Sequence, residues 1–121
     1  IAKSAYRRWF KDFYSAPLGE RFRIISDGGD AGTWFNAILF RGYIELYKAE
    51  IAKDGNGDRT YITAYEKTMS HAWLSNCRQK NTNLLNNDFT GASTQTSWGI
   101  LSQGASLEML ACLASLERDG L

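Results

Sequence analysis

Two carboxylic acids stand close together in a glycine-rich stretch of the chain. Asp27 and Asp30 are separated only by Gly28 and Gly29. Enzymes that hydrolyse glycosidic bonds usually use a pair of carboxyl groups, one as the general acid and the other as the base or nucleophile. An aspartate just before a helix is also stabilised by the positive end of the helix dipole, so a structural role is the alternative. We therefore predict that Asp27 and Asp30 contact a ligand, and we do not assign catalysis to them.

Aromatic side chains stand at the starts of two strongly apolar segments. Trp34 and Phe35 begin the first of these segments, and Trp98 begins the second. Sugar rings present apolar C–H faces that pack on aromatic planes, while polar neighbours bind the hydroxyl groups. Burial in the core is the competing interpretation, because tryptophan is commonly buried. We predict ligand contacts for the three aromatic residues and for nearby polar side chains, which are Asn36, Asp88, Gln95 and Gln103.

Other common catalytic patterns are missing from the sequence. The single histidine, His71, is too little for a histidine metal site and suggests no nucleophile–base pair. Residues 54–58 read Asp-Gly-Asn-Gly-Asp and imitate the start of a calcium loop. Arg59 stands where that pattern requires glycine, and Tyr65 stands where it requires a carboxylate. A plain turn is therefore favoured over a calcium site, and we predict neither a metal nor another cofactor.

The composition excludes several classes of protein. The 121 residues are 44% hydrophobic and 22% charged, which is typical of one globular unit and not of a disordered chain. The formal net charge is +1 without any basic block, so a nucleic-acid partner is not expected. No apolar run is long enough for a membrane span. The two cysteines, Cys77 and Cys112, do not suggest a disulfide framework, and no signal peptide is visible after Ile1.

Four segments of the chain have helical periodicity. The first and third carry apolar residues on one face only, as an amphipathic helix does. The second and fourth are apolar on nearly all sides, which is typical of helices inside a structure. The fourth also contains small residues that allow helices to approach closely. The predicted helices are, in order, 2–14, 33–53, 60–79 and 97–118.

The alternation of one-sided and all-round helices predicts an all-α fold of a particular kind. In an α/α toroid, each outer helix is followed by a buried inner helix, whereas a four-helix bundle would make all four helices one-sided. We therefore predict two helical hairpins of a toroid. Four such helices would leave the inner pair half uncovered, which is a larger apolar patch than monomers usually expose. The chain is accordingly interpreted as part of a larger barrel.

Several stretches resemble glycoside hydrolase family 76. The clearest is GTWFNAILFRGY at 32–43, which resembles an inner helix of that family, and LSQGASLEMLA at 101–111 looks like the family's last helix. The resemblance extends from about Trp9 to Leu116. Shorter matching stretches lie between these two, at 61–62, 72–73, 84–85 and 88–91.

The resemblance implies an (α/α)6 barrel that hydrolyses α-1,6-linked mannan with retention of configuration. On this basis residues 1–121 are the C-terminal segment of the barrel, and the partners are a mannan chain and the remainder of the parent protein. It also implies secretion, or a periplasmic or cell-surface location. The family's catalytic acids are adjacent aspartates, and no Asp-Asp pair occurs in this sequence. We therefore expect the segment to supply cavity wall and final helices and to be inactive alone. The alternative is a non-catalytic helical module that binds carbohydrate or protein.

Overall fold

A computed structural model describes residues 4, 13–15, 21–23, 29–89, 91 and 94–121. Three helices dominate this part of the chain, so the predicted all-α fold class is confirmed. A short antiparallel pair of strands precedes them. The elements in chain order are β1 (Phe13–Ser15), β2 (Arg21–Arg23), α1 (Gly29–Asp54), α2 (Thr60–Leu74) and α3 (Ile100–Arg118).

The strand pair was not predicted from the sequence. Of the predicted helix 2–14, Ser4 is helical, whereas Phe13 and Tyr14 lie in β1, so the prediction of a helix at these two positions was wrong. Aromatic residues have high strand propensity even when their spacing fits a helix. Pairing of the two strands satisfies backbone N–H and C=O groups of both strands. Tyr14 pairs with Phe22, and β2 lies against α2.

The three long helices differ from their predicted bounds mainly at their ends. Helix α1 begins at Gly29, four residues before the predicted start, and Gly55 ends it with a positive φ of 69°. Helix α2 begins at Thr60 as predicted but ends at Leu74, because Ser75 is extended and the chain then forms a bridge between Arg78 and Leu85. Helix α3 begins three residues later than predicted, after the extended Gly99.

The turn between α1 and α2 contains the residues that imitate a calcium loop. The Oδ1 atom of Asp58 accepts a hydrogen bond from the Thr60 amide at 3.1 Å and thus satisfies a free N–H group at the start of α2. The Asp58 amide donates to Oε2 of Glu50 at 2.8 Å. A Cβ atom at Gly57 would lie 2.5 Å from the Tyr47 ring, so only glycine fits there. These contacts are those of a tight interhelical turn.

Helices α1 and α2 form an antiparallel hairpin held by tyrosine side chains. The rings of Phe40 and Tyr65 stack with centroids 4.4 Å apart, and those of Tyr43 and Tyr61 stack at 4.9 Å. The later residue of α1, Tyr43, contacts the earlier residue of α2, Tyr61, so the two helices run in opposite directions. All four rings are buried, so this contact forms the centre of the core.

Helices α1 and α3 run parallel to each other. Arg41 on α1 forms an ion pair with Glu108 on α3 at 3.1 Å. Farther along both helices, the Tyr47 hydroxyl donates to the carbonyl of Leu121, just beyond α3, at 3.2 Å. Alternating outer and inner helices make every inner helix point the same way, so this direction is the one a toroid requires. The N-terminal ends of α1 and α3 consequently lie at the same end of the structure.

The exposed apolar residues are concentrated on the two inner helices. On α1, Trp34, Phe35 and Ile38 are exposed, and on α3 Ile100, Leu101 and Leu107 are exposed. The outer helix α2 buries one face and exposes apolar residues only at its end. This is the uncovered inner face predicted from the sequence. Within the part of the chain that the structure describes, no helix is long and apolar enough to cross a membrane.

Candidate functional site

The first part of the candidate site is an apolar stripe on the second and third turns of α1. We call Trp34, Phe35 and Ile38 the α1 stripe. The exposed fractions of these side chains are 37%, 66% and 39%. Residues one helical turn apart share a face, so Trp34 and Ile38 lie side by side with Phe35 next to them. Partial exposure leaves the Trp34 indole accessible in this chain, as a ring that packs on a ligand must be.

Trp98 lies two residues before α3 and is held by a buried amide. Its Nε1 atom donates to Oδ1 of Asn86 at 3.0 Å, and Nε2 of Gln79 donates to the same oxygen at 3.0 Å. Asn86 is 2% exposed, so the bond is shielded from water. Because a carbonyl oxygen has two lone pairs, Asn86 can satisfy both donors at once. The indole of Trp98 is therefore fixed in orientation while its ring remains half-buried.

The ring of Trp98 forms one wall of an open cleft, which we call the Trp98 cleft. Its volume is about 480 Å³, within the usual range of sites for small molecules. The rest of the lining comes from the segment that follows α2. Apart from Trp98, the residues that line the cleft are Asn76, Arg78, Gln79, Lys80, Asn81 and Thr82.

The segment behind the Trp98 cleft is fixed by backbone hydrogen bonds. The amide of Gln79 donates to the carbonyl of Leu84 at 2.8 Å, and the amide of Asn83 donates to the carbonyl of Gln79 at 2.8 Å. Asn83 has a φ of 59°, a left-handed conformation that asparagine tolerates better than most residues. A further bond of 2.8 Å joins the Asn86 amide to the Cys77 carbonyl. The cleft wall is thus a closed loop with a defined shape.

Gln103 is bound to that loop through both ends of its side-chain amide. Its Oε1 atom accepts from the Leu85 amide at 3.0 Å, and its Nε2 atom donates to the Leu85 carbonyl at 2.8 Å. The side-chain amide thereby takes the place of a strand neighbour and joins α3 to the loop. The predicted sugar contact of Gln103 stays a prediction, and the observed contacts make it a residue that positions the cleft wall.

The other residues that were predicted at the site and that the structure describes lie in two places, α1 and the loop before α3. Asp27 is outside the described residues, and Asp30 lies in the first turn of α1. Asp88 is half-buried in the loop before α3. Asn36 donates to the Gly32 carbonyl at 2.8 Å, within α1. Gln95 accepts from the Asn87 amide at 2.9 Å.

The buried thiol of Cys77 is a structural group in the same loop. Burial, with a smaller contribution from the charge of Asp88, raises the pKa of Cys77, which opposes formation of the reactive thiolate. The thiol donates to the Phe89 carbonyl at 2.8 Å and accepts from the Ser75 hydroxyl at 2.9 Å. Cys112 is also a free thiol. Cys77 therefore stabilises the loop and is not suited to act as a nucleophile.

The arrangement is suited to binding. Within the described ranges, no group of three or more histidine, cysteine, aspartate or glutamate residues is placed to hold a metal. The α1 stripe and Trp98 offer aromatic surface at the same end of two parallel helices, and the loop beside Trp98 offers amide groups. Asn86 and Gln79 were missed by the sequence analysis. Asn86 lies in an asparagine-rich stretch that is typical of an ordinary polar loop, and Gln79 was the last residue of the predicted helix 60–79.

Solved structures of glycoside hydrolases are similar to this chain. One is the family 76 glycoside hydrolase (mannosidase) Bt3792 from Bacteroides thetaiotaomicron VPI-5482, with 43% sequence identity and a TM-score of 0.80 over 99% of this chain. Another is a family 76 glycoside hydrolase from a bovine Bacteroides thetaiotaomicron strain, with 32% identity and a TM-score of 0.77 over 96% of this chain.

The match covers only part of each relative. The chain spans 30% of the length of the first structure and 23% of the second. Neither the protein-family models nor the curated proteins gave a match. Identity of 43% over nearly the whole chain, together with the shared fold, nevertheless agrees with the resemblance found in the sequence. This chain is a relative of the family 76 glycoside hydrolases.

Proposed function

We propose that the protein containing this chain cleaves α-1,6-mannosidic bonds in mannan, and that residues 1–121 form the C-terminal part of its barrel. The similarity to a protein described as a mannosidase supports a mannose-containing substrate. The observation that carries the proposal is the parallel arrangement of α1 and α3, which places the exposed rings of Trp34 and Phe35 and the half-buried ring of Trp98, just before α3, at one common end. In a closed barrel that end of the inner helices borders the central cavity.

In this proposal the chain binds and orients the substrate. The Trp34 indole and Phe35 ring offer flat apolar surface for the C–H face of a mannose residue. Trp98 offers a second such surface. Asp27, Asp30, Asp88 and Gln103 are proposed to contact hydroxyl groups. The acid and nucleophile of a retaining mechanism are assigned to adjacent aspartates elsewhere in the parent protein, since this chain has no Asp-Asp pair.

Further features of the whole protein follow from the same relationship. The exposed apolar residues of α3 are proposed to pack against the remaining helices of the barrel. A polysaccharide is too large to enter a cell intact, so we propose secretion, or a periplasmic or cell-surface location.

The test is the variant Trp34→Ala in the full-length protein. Loss of a stacking surface typically costs about 1–3 kcal/mol, which corresponds to roughly 5- to 150-fold weaker binding or turnover of mannan. Kinetics with α-1,6-linked oligomannosides and thermal melting are measured on the same sample. Leu74→Ala is the matched control, because Leu74 is 82% exposed at the end of the outer helix.

Three results would contradict the proposal. If Trp34→Ala melts at a much lower temperature while the folded fraction keeps normal kinetics, Trp34 is a core residue of the barrel. If the intact protein binds mannan without cleaving it, the chain belongs to a non-catalytic carbohydrate-binding module. A protein that neither binds nor cleaves mannan would indicate an interaction module.

A further inference from the structure

We propose that the Trp98 cleft binds a sugar that carries a negative charge, a phosphate or a carboxylate, with Arg78 and Lys80 facing the anion and Trp98 facing the ring. The proposal rests on the proposed function only in that the ligand is part of a glycan. It adds a second class of substrate, a charged glycan, which differs from neutral mannan in its phosphate or carboxylate group.

The charges that line the cleft have one sign. Arg78 and Lys80 are both positive, and no carboxylate is among the lining residues. The Nε atom of Arg78 donates to the Trp73 carbonyl at 2.8 Å, and its Nη1 atom donates to Oδ1 of Asn83 at 2.9 Å. Both acceptors are neutral, and none of the ion pairs formed by the described residues includes Arg78 or Lys80. The positive charge at the cleft is therefore left for a ligand to balance.

Arg78 is held in place before any ligand arrives. Its guanidinium lies over the Trp73 ring, 4.8 Å from the ring centroid, in addition to its two hydrogen bonds. A guanidinium has five N–H donors, so three of them remain after those bonds. A fixed arginine loses little conformational freedom when it binds a phosphate or carboxylate. Lys80 is exposed at the rim, where a flexible ammonium group can reach the same anion.

The remaining lining residues suit a sugar better than a bare anion. The Trp98 ring is oriented by Asn86 and provides a flat apolar wall. Asn76, Asn81 and Thr82, which also line the cleft, have amide and hydroxyl groups that can bind sugar hydroxyls. A free phosphate ion would use the cationic side alone and leave the indole without a partner. The cleft, at about 480 Å³, is large enough for one substituted monosaccharide.

The experiment is calorimetric titration of the full-length protein at low salt with mannose 6-phosphate, glucuronate, mannose and inorganic phosphate. One or two charge-assisted hydrogen bonds predict that both charged sugars bind at least about 10-fold more tightly than mannose. Added salt should weaken binding of the charged sugars and leave binding of mannose unchanged. Lys80→Gln should lose most of the difference, and Trp98→Ala should weaken all three sugars. Lys53→Gln, an exposed lysine at the end of α1, is the matched control.

The outcomes separate this proposal from the proposed function. Equal affinity for mannose and mannose 6-phosphate, unchanged by Lys80→Gln, would show that the cations are not used and would overturn it. Inorganic phosphate bound as tightly as mannose 6-phosphate would mean a simple anion site and would also overturn it, as would no binding of any of the four. Hydrolysis of neutral mannan is measured independently, so cleavage can persist when the charged-sugar proposal fails.

Discussion

The indole Nε1 of Trp98 donates to Oδ1 of Asn86 at 3.0 Å, and this bond joins the start of α3 to the loop that follows α2. Asn86 is buried, and its side-chain oxygen also accepts from Gln79, another residue that lines the cleft. One amide oxygen therefore holds Trp98 and Gln79 together at the cleft. The bonds of Gln103 to Leu85 join the same loop to α3.

The variant Trp98→Phe separates the aromatic surface from the hydrogen bond. Phenylalanine keeps a flat ring but has no N–H donor, so we expect the free energy of unfolding to fall by about 1 kcal/mol. Sugar binding should weaken by less than in Trp98→Ala, which removes the ring as well. Thermal melting and calorimetric titration of the full-length protein measure the two effects. Normal sugar binding by Trp98→Ala would show that the ring is not a platform.

Replacing Gln103 tests how the loop is attached to α3. Gln103→Met keeps the length of the side chain and removes both hydrogen bonds to the backbone of Leu85. Leu85 is only 3% exposed. A buried N–H and a buried C=O then lack partners, so we expect a loss of about 2–4 kcal/mol in stability. The measurement is denaturant unfolding of the full-length protein, with Glu117→Gln on the exposed side of α3 as the control. A loss below about 0.5 kcal/mol would mean that water replaces the amide.

The thiol of Cys77 should make stability depend on alkaline pH. Burial raises the pKa of Cys77, so the unfolded chain releases this proton at a lower pH than the folded protein does. Stability is therefore unaffected by this group below the ordinary thiol pKa of about 8.5 and declines as the pH rises above it. One group contributes at most about 1.4 kcal/mol per pH unit.

The matched variant for this effect is Cys77→Ala. It should lower stability by a constant amount at neutral pH, because the Phe89 carbonyl loses its donor, and it should have a smaller alkaline slope than the parent. Urea unfolding at several pH values between 7 and 10 gives both numbers. An identical slope in both proteins would show that Cys77 does not titrate differently on folding. Cys112, whose pKa burial also raises, provides the comparison Cys112→Ala.

The uncovered side of α3 predicts how the isolated chain behaves. Ile100 and Leu107 are 91% and 68% exposed, so residues 1–121 expressed alone should self-associate. Leu107→Lys should reduce that association in sedimentation experiments. In the full-length protein the same change should cost more than about 2 kcal/mol, because the position would be covered by the rest of the barrel.

The control for this pair of measurements is Leu74→Lys. Leu74 is 82% exposed on the outer helix and should tolerate lysine both in the isolated chain and in the full-length protein. A monomeric isolated chain, or a full-length Leu107→Lys protein of normal stability, would mean that α3 faces solvent. The isolated chain should also fail to cleave α-1,6-mannan. Cleavage that Asp27→Asn or Asp30→Asn abolishes would move the catalytic acids into this chain.

The long apolar pattern of α1 was sufficient to predict a helix, its inner position and its end at the glycine turn. That pattern extends over several helical turns. Tertiary contacts rarely change the secondary structure of a segment whose helical periodicity is repeated so often. The same reasoning located the start of α2 at Thr60 and the end of α3 at Arg118. The order of one-sided and all-round helices also predicted the toroid wiring, because burial on all sides requires neighbours on all sides.

Pairing between residues that are distant in the sequence could not be predicted from the sequence alone. Phe13 and Tyr14 fit a helix as well as a strand, and only their pairing with β2 decides the matter. Helix α2 ends at Leu74, five residues before its predicted end, because Arg78 pairs with Leu85 and Gln103 of α3 binds the Leu85 backbone. Asn86 looks like any loop asparagine until Trp98 and Gln79 are brought to it. Periodicity in the sequence shows which face of a helix or strand is apolar. These hydrogen bonds instead join groups that are distant in the sequence, and only the folded chain brings them within about 3 Å of one another.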